Sequence, residues 1–213
     1  YAMVTGKSWI LVPGTLRFHL TGKLKEGVYP RDLILTIIGD IGADGATYKA
    51  MEFTGEGARS MSINERMVLT NMAVEAGAKT GIFEPDERAI EYLAACGRKP
   101  KHLFTSDSDA VYEKEYFYDL GKIEPVVARP DNVDDIVTID ALGDVKIHQG
   151  FIGSCNSGRI EELRTAASIL KGQRINDGVR LLISPASNAV YLQALQEGLM
   201  DIFMDAGAMI MNS

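Results

Sequence analysis

Residues 145–172, VKIHQGFIGSCNSGRIEELRTAASILKG, constrain the fold more than any other stretch of this chain. Val145, Ile147, Phe151 and Ile152 read as a buried strand. Ile160, Leu163, Ala166, Ala167 and Leu170 then recur at helical spacing, with Gly172 placed to stop the helix. A tight, glycine-bounded loop carrying Cys155 joins the two. A second unit of the same kind follows, with residues 179–183 as strand, 184–187 as loop and 188–197 as helix. Strand alternating with helix predicts an α/β fold with a mainly parallel sheet and right-handed crossovers. Ligands of such sheets bind at the carboxyl ends of the strands, and Cys155 and Ser187 both fall at such ends.

A cysteine where a strand feeds a helix sits among unpaired backbone N–H groups and the positive end of the helix dipole, which stabilise a thiolate. Three readings stay open on the residues alone: a nucleophile, a metal-cluster ligand, or an inert core thiol, since free cysteine is among the most buried residue types. A nucleophile elbow needs glycine two residues to either side; Gly153 fits, but Ser157 stands where the second glycine belongs. A thiol hydrolase also needs a histidine poised beside Cys155. A non-enzymatic module could cradle an anion in the loop before Arg159, although no phosphate-binding glycine signature is present.

Composition narrows the class. The chain has 213 residues, 46% of them hydrophobic and 24% charged, as expected of a globular protein of one or two domains. A net charge of −7 argues against nucleic acid as a partner. No apolar run is long enough to cross a bilayer, which argues against a membrane. Two distant cysteines fit a reducing cytoplasm better than a disulfide scaffold, and the start, YAMVTGK, lacks the pattern of a signal peptide.

Earlier in the chain, Leu16, Phe18 and Leu20 alternate with polar residues over 15–21, a half-buried strand that places His19 on the surface. A helix opens near Asp32, a candidate cap, and breaks at Gly39 and Gly42; a second strand is expected over 48–53. After Pro85 and Asp86 another helix runs to about Gly97, with Cys96 as a structural residue in its last turn. A further helix is expected over 109–120, its tyrosines used in packing. Residues 124–135, with two prolines and no apolar periodicity, read as a linker.

Residues 62–79, SINERMVLTNMAVEAGAK, are the second informative stretch. Ser62 with Glu65 forms a capping box, and Asn71 and Glu75, four apart, lie on one helical face. In isolation this pair fits a solvated polar stripe.

Two segments resemble the aconitase superfamily, most closely its branch of 3-isopropylmalate dehydratase and homoaconitase large subunits. GSCNSGRIEELRTAASILKG resembles the family's cluster loop, and RMVLTNMAVEAGAKTGIF resembles its NM-x-x-E-x-G-A segment. The resemblance covers essentially the whole chain. It implies α/β/α domains and a hydro-lyase that isomerises 2- and 3-isopropylmalate in leucine biosynthesis, or a related homoaconitase or tricarboxylate hydratase. It also implies a 4Fe-4S cluster with Cys155 as one thiolate ligand, and Glu75 and Asn71 as catalytic residues. Arg66 becomes a substrate contact or an ion-pair partner, and Ser187 a substrate contact. The implied partners are a small subunit, in a heterodimer or heterotetramer, and a hydroxy di- or tricarboxylate substrate. Asn156 and Ser157 depart from the family's Thr-Asn. The resemblance begins inside the family's first domain and stops before its Cys-x-x-Cys pair, so the chain reads as a fragment: residues 1–13 a remnant of a first domain, 14–128 a second domain carrying Asn71 and Glu75, and 133–213 a third carrying Cys155. Such a fragment is expected to be cluster-free and inactive.

Overall fold

The computed structural model describes residues 1–212, which divide into two compact units, residues 1–139 and the chain from Asp140 onward. The first unit begins with an exposed helical turn, α1 (Ala2–Thr5), followed by β1 (Thr15–Thr21), α2 (Pro30–Ile41), β2 (Ala50–Thr54), α3 (Gly55–Ser60), α4 (Ile63–Met72), a 3-10 turn (Ala73–Ala76), β3 (Thr80–Phe83), α5 (Glu87–Ala95) and β4 (Lys114–Asp119). The four strands form one parallel sheet in the order β3-β2-β1-β4.

The alternation seen in β1 decides which face is buried. Leu16, Phe18 and Leu20 point into the core with Met51 and Phe53, and there they meet Leu33, Ile34, Ile37 and Ile38 of α2 and Leu69 of α4. Burying each of these large side chains contributes about 1.5–3 kcal/mol. Phe18 stacks on Tyr116 with ring centroids 5.0 Å apart.

Four expectations are corrected here. Residues 114–119 form a strand, not part of a helix. Tyr116 and Tyr118 alternate toward the core with Glu115 and Phe117 on the other face, a period of two that the aromatic run masks as helix. Asp32 is not the cap of α2 but its third residue. Its carboxylate accepts the N–H of Tyr29, the N-cap, at 2.7 Å and that of Val126 at 3.0 Å. The segment expected as a linker carries β5 (Val126–Ala128), which pairs antiparallel with β6 (Ile136–Thr138) and packs on α2, where Gly39 lets Ile136 approach. Cys96, the C-cap of α5, is exposed.

The second unit follows α6 (Ile139–Leu142), a short helix at the division. It comprises β7 (Gln149–Ile152), α7 (Ile160–Leu170), β8 (Arg180–Ile183), α8 (Asn188–Gln196), α9 (Leu199–Ala206) and β9 (Met209–Ile210). Its strands are parallel in the order β7-β8-β9. Both crossovers advance in the same direction, β7 to β8 to β9, so with the same hand their helices fall on one face. Ile160, Leu163, Ala167, Ala194 and Phe203 accordingly pack against Ile152, Leu181, Ile183 and Ile210. The opposite face presents Phe151, 49% exposed, and Met209, 54% exposed.

Candidate functional site

In the second unit, the loop after β7 is built by close approach of backbone. Gly153 has φ 149° and Gly158 φ 75°, and a Cβ at either would lie 2.7 Å or 2.3 Å from the carbonyl oxygen of Ser184. Only glycine fits both the conformation and the space. The amide of Ser184 donates to Ile152 O at 2.8 Å, and that of Ala186 to Gly158 O at 2.9 Å, so the loops after β7 and β8 interlock at the carboxyl edge of the sheet. Ser154 is held at φ 83°, a conformation uncommon for a side-chain-bearing residue.

Cys155 follows Ser154 and is exposed, while its neighbour Asn156 is buried. The reading of Cys155 as an inert core thiol is therefore excluded: the residue is exposed, in the loop before α7. That helix starts with Glu162 accepting the N–H of Arg159, its N-cap, at 3.0 Å. Ser187, exposed, is the N-cap of α8 and accepts the N–H of Val190 at 3.3 Å. The unit thus brings the loops of Cys155 and Ser187 to one sheet edge.

Arg66, Asn71 and Glu75 belong to the first unit. The capping box is present, with Ser62 Oγ accepting from Glu65 N–H at 3.2 Å and Glu65 accepting from Ser62 N–H at 2.6 Å. α4 ends at Met72, however, and the chain tightens into the 3-10 turn. Asn71 therefore sits in the last turn of α4, half-buried, and Glu75 in the tighter turn, exposed. Gly77, in left-handed conformation, closes the turn onto β3.

Arg66 is buried, with its side chain 6% exposed. Its guanidinium donates to both carboxylate oxygens of Asp86, at 2.9 and 2.5 Å, and to the carbonyls of Met61 and Arg59. The hydrogen bond from Arg66 holds the Asp86 carboxyl below its ordinary value of 3.8. The structure gives Arg66 the ion-pair role, joining α4 to the start of α5, where Asp86 also caps the helix. Arg66 further lines a small pocket of about 10 Å³ at the carboxyl ends of β2 and β3, with Thr54, Phe83 and Glu84.

A larger cavity, about 340 Å³, opens between α2 and the β5–β6 hairpin, lined by Asp40, Lys122, Glu124 and Asp134 among others. Asp40 accepts from Tyr118 Oη at 3.0 Å; burial and that carboxylate raise the tyrosine's pKa well above its usual range. None of the five candidate residues lines this cavity.

Sequence reasoning missed Glu52 and Ser184. Glu52, only 9% exposed, accepts from Ser106 Oγ at 2.9 Å and Tyr112 Oη at 3.1 Å and lies 3.4 Å from Arg17 Nε. Its one signal was a carboxylate among the apolar residues of β2. Ser184 had only its place after an apolar strand. Among the described residues, no group of three His, Cys, Asp or Glu could hold a metal ion, and no helix is long and apolar enough to cross a membrane.

The model of the aconitase family (aconitate hydratase) matches residues 1–144 and 140–213. The chain is 48% identical over 212 residues to 3-isopropylmalate dehydratase large subunit 2 of Archaeoglobus fulgidus, covering 99% of this chain and 51% of that protein. It is 50% identical over 210 residues to the 3-isopropylmalate dehydratase large subunit of Caldicellulosiruptor saccharolyticus, covering 98% and 49%. It thus spans about half the length of these relatives. Among solved structures, aconitase X of Thermococcus kodakaraensis in its holo-form superposes with a TM-score of 0.53 at 15% identity, covering 94% of this chain and 43% of that one, a likeness of fold.

Proposed function

Because the chain belongs to the aconitase family, we propose that it is the part of a 3-isopropylmalate dehydratase large subunit that supplies one cluster thiolate and two polar active-site side chains. The observation that carries this reading is Cys155: an exposed thiol on a glycine-cradled loop before a helix N-terminus, in a chain about half identical to such large subunits along nearly its whole length. The whole activity, dehydration and rehydration of a hydroxy diacid in leucine biosynthesis, then belongs to the longer polypeptide together with a small subunit. Two exposed cysteines far apart in the chain suit a reducing, cytoplasmic setting.

The residues present fit one corner of a 4Fe-4S cluster and no more, since such clusters are ordinarily held by several thiolates and this chain brings one exposed thiol to the carboxyl edge of its second sheet. When bound, the cluster supplies a Lewis acid that polarises the substrate's hydroxyl. Cys155 would hold the cluster as a thiolate, the form in which cysteine binds metal. The exposed Glu75 carboxylate exchanges a proton with the substrate's hydroxyl or the water that replaces it, and the Asn71 amide orients that group. Arg66 sets the end of this segment through Asp86, and Ser187 acts as a helix cap.

The test is to assay the complete large subunit, loaded with iron and sulfide and mixed with its small subunit, on 3-isopropylmalate. Turnover is expected, and Glu75→Gln is expected to reduce kcat about 10²–10⁴-fold with unchanged cluster absorbance. Loaded enzyme inert on this acid, or a Glu75→Gln variant of normal kcat, overturns the assignment. The 213-residue chain alone is expected to show neither cluster absorbance nor turnover.

A further inference from the structure

Three loops meet at the carboxyl edge of the second unit's sheet, and one residue touches them all. The main chain of Ser184 joins the first two: its N–H donates to Ile152 O at 2.8 Å, and its carbonyl oxygen fills the space that a Cβ at Gly153 or Gly158 would need. Its hydroxyl reaches the third, donating to the carbonyl of Asn212 at 3.0 Å, just past β9. Beside it, Met211 N–H donates to Ile183 O at 2.8 Å and carries the β8–β9 ladder one step further.

We propose that Ser184 is a positioning residue for Cys155: its hydroxyl fixes the end of β9 while its main chain forms the floor on which the cysteine loop closes. Any residue could make the main-chain contacts. Only the hydroxyl is particular to serine or threonine, so the side-chain tie between the cysteine loop and the end of β9 is that one oxygen, beside the main-chain bond of Met211 to Ile183. Ser154, held in a left-handed conformation beside Cys155, is kept there by this frame. The inference deepens the proposed function, on which it rests. Groups that orient a metal ligand from behind commonly change metal affinity 10–100-fold when removed.

The experiment compares wild type, Ser184→Ala and Ser184→Thr in the complete, cluster-loaded large subunit, following the decay of cluster absorbance in air. Ser184→Ala is expected to lose its cluster about 10-fold faster, and Ser184→Thr, which keeps the hydroxyl, to match wild type, with the melting midpoint of the cluster-free proteins unchanged. Decay at the wild-type rate in Ser184→Ala, or equally fast decay in both variants, overturns the proposal. If the wild-type subunit takes up no cluster, the functional reading fails instead. Positioning is then measured in the 213-residue chain with Cys96→Ser, as the rate of Cys155 alkylation by iodoacetamide. Ser184→Ala is expected to raise that rate severalfold, and an unchanged rate overturns the proposal there too.

Discussion

The two units share a plan, a parallel sheet with helices packed on one face, but treat the opposite face differently. In the first unit that face carries paired charges beside the exposed Ile82 and Phe117. Glu52 gathers Arg17, Ser106 and Tyr112, with the Arg17 guanidinium 4.5 Å from the centre of the Tyr112 ring. His19 Nε2 lies 2.5 Å from Glu115 and its ring stacks on Phe117, while Lys49 pairs with Glu113. In the second unit the corresponding face carries Phe151 and Met209, both about half exposed. Parallel sheets ordinarily have both faces covered; the first unit lays residues 106–113 and several ion pairs over this face, whereas the second has one side-chain pair there, Arg180 donating to Gln149. With the larger buried core, the first unit should be the more stable when this chain is studied by itself.

The sharpest way to break that contrast is to remove a charge the first unit depends on. Arg66→Ala leaves the Asp86 carboxylate without its main partner, and the expected loss is about 3–5 kcal/mol, measured by denaturant unfolding of the first unit. A pH series adds the sign. Because the folded-state pKa of Asp86 is lowered from 3.8, its contribution is present above that value and is lost as the pH falls below it through the folded pKa. Wild-type stability should drop in that acid range, and the drop should shrink in Arg66→Ala; equal slopes would remove Asp86 from the account.

Next in size is Gly158→Ala in the second unit. The left-handed conformation costs an alanine about 1–2 kcal/mol, and the overlap with the Ser184 carbonyl adds to it. Hydrogen exchange should show the loss confined to the second unit. A variant as stable as wild type would mean that the two loops do not interlock as described.

The smallest effect belongs to the open face. Phe151→Ser should change the stability of this chain by about 0.5 kcal/mol or less, as surface changes do. Phe18, a strand phenylalanine with no exposure in the first unit, should cost about 3–5 kcal/mol on truncation to alanine. Similar losses at both positions would erase the distinction between the faces.

The regular parts were legible because they repeat. β1 follows the alternation of Leu16, Phe18 and Leu20, and α7 runs over Ile160–Leu170 as its apolar spacing requires. The Ser62–Glu65 box was legible because both partners lie within one turn. The aromatic run at 116–118 was misread because Tyr-Phe-Tyr carries no period by itself; pairing with β1 decided it. Asp32 was misplaced because its carboxylate serves both the first turn of α2 and Val126, far along the chain.

Local pattern by itself thus determined the α/β class, the position of Cys155 before a helix, and the family segments around Asn71 and Glu75. Only the tertiary structure decided that the Cys155 thiol is exposed, that Arg66 is committed to Asp86, and that Ser184 joins three loops. The reason is physical. Periodicity and capping act within a few residues, whereas exposure, ion pairing and backbone contact depend on which distant segments the packed sheet brings together.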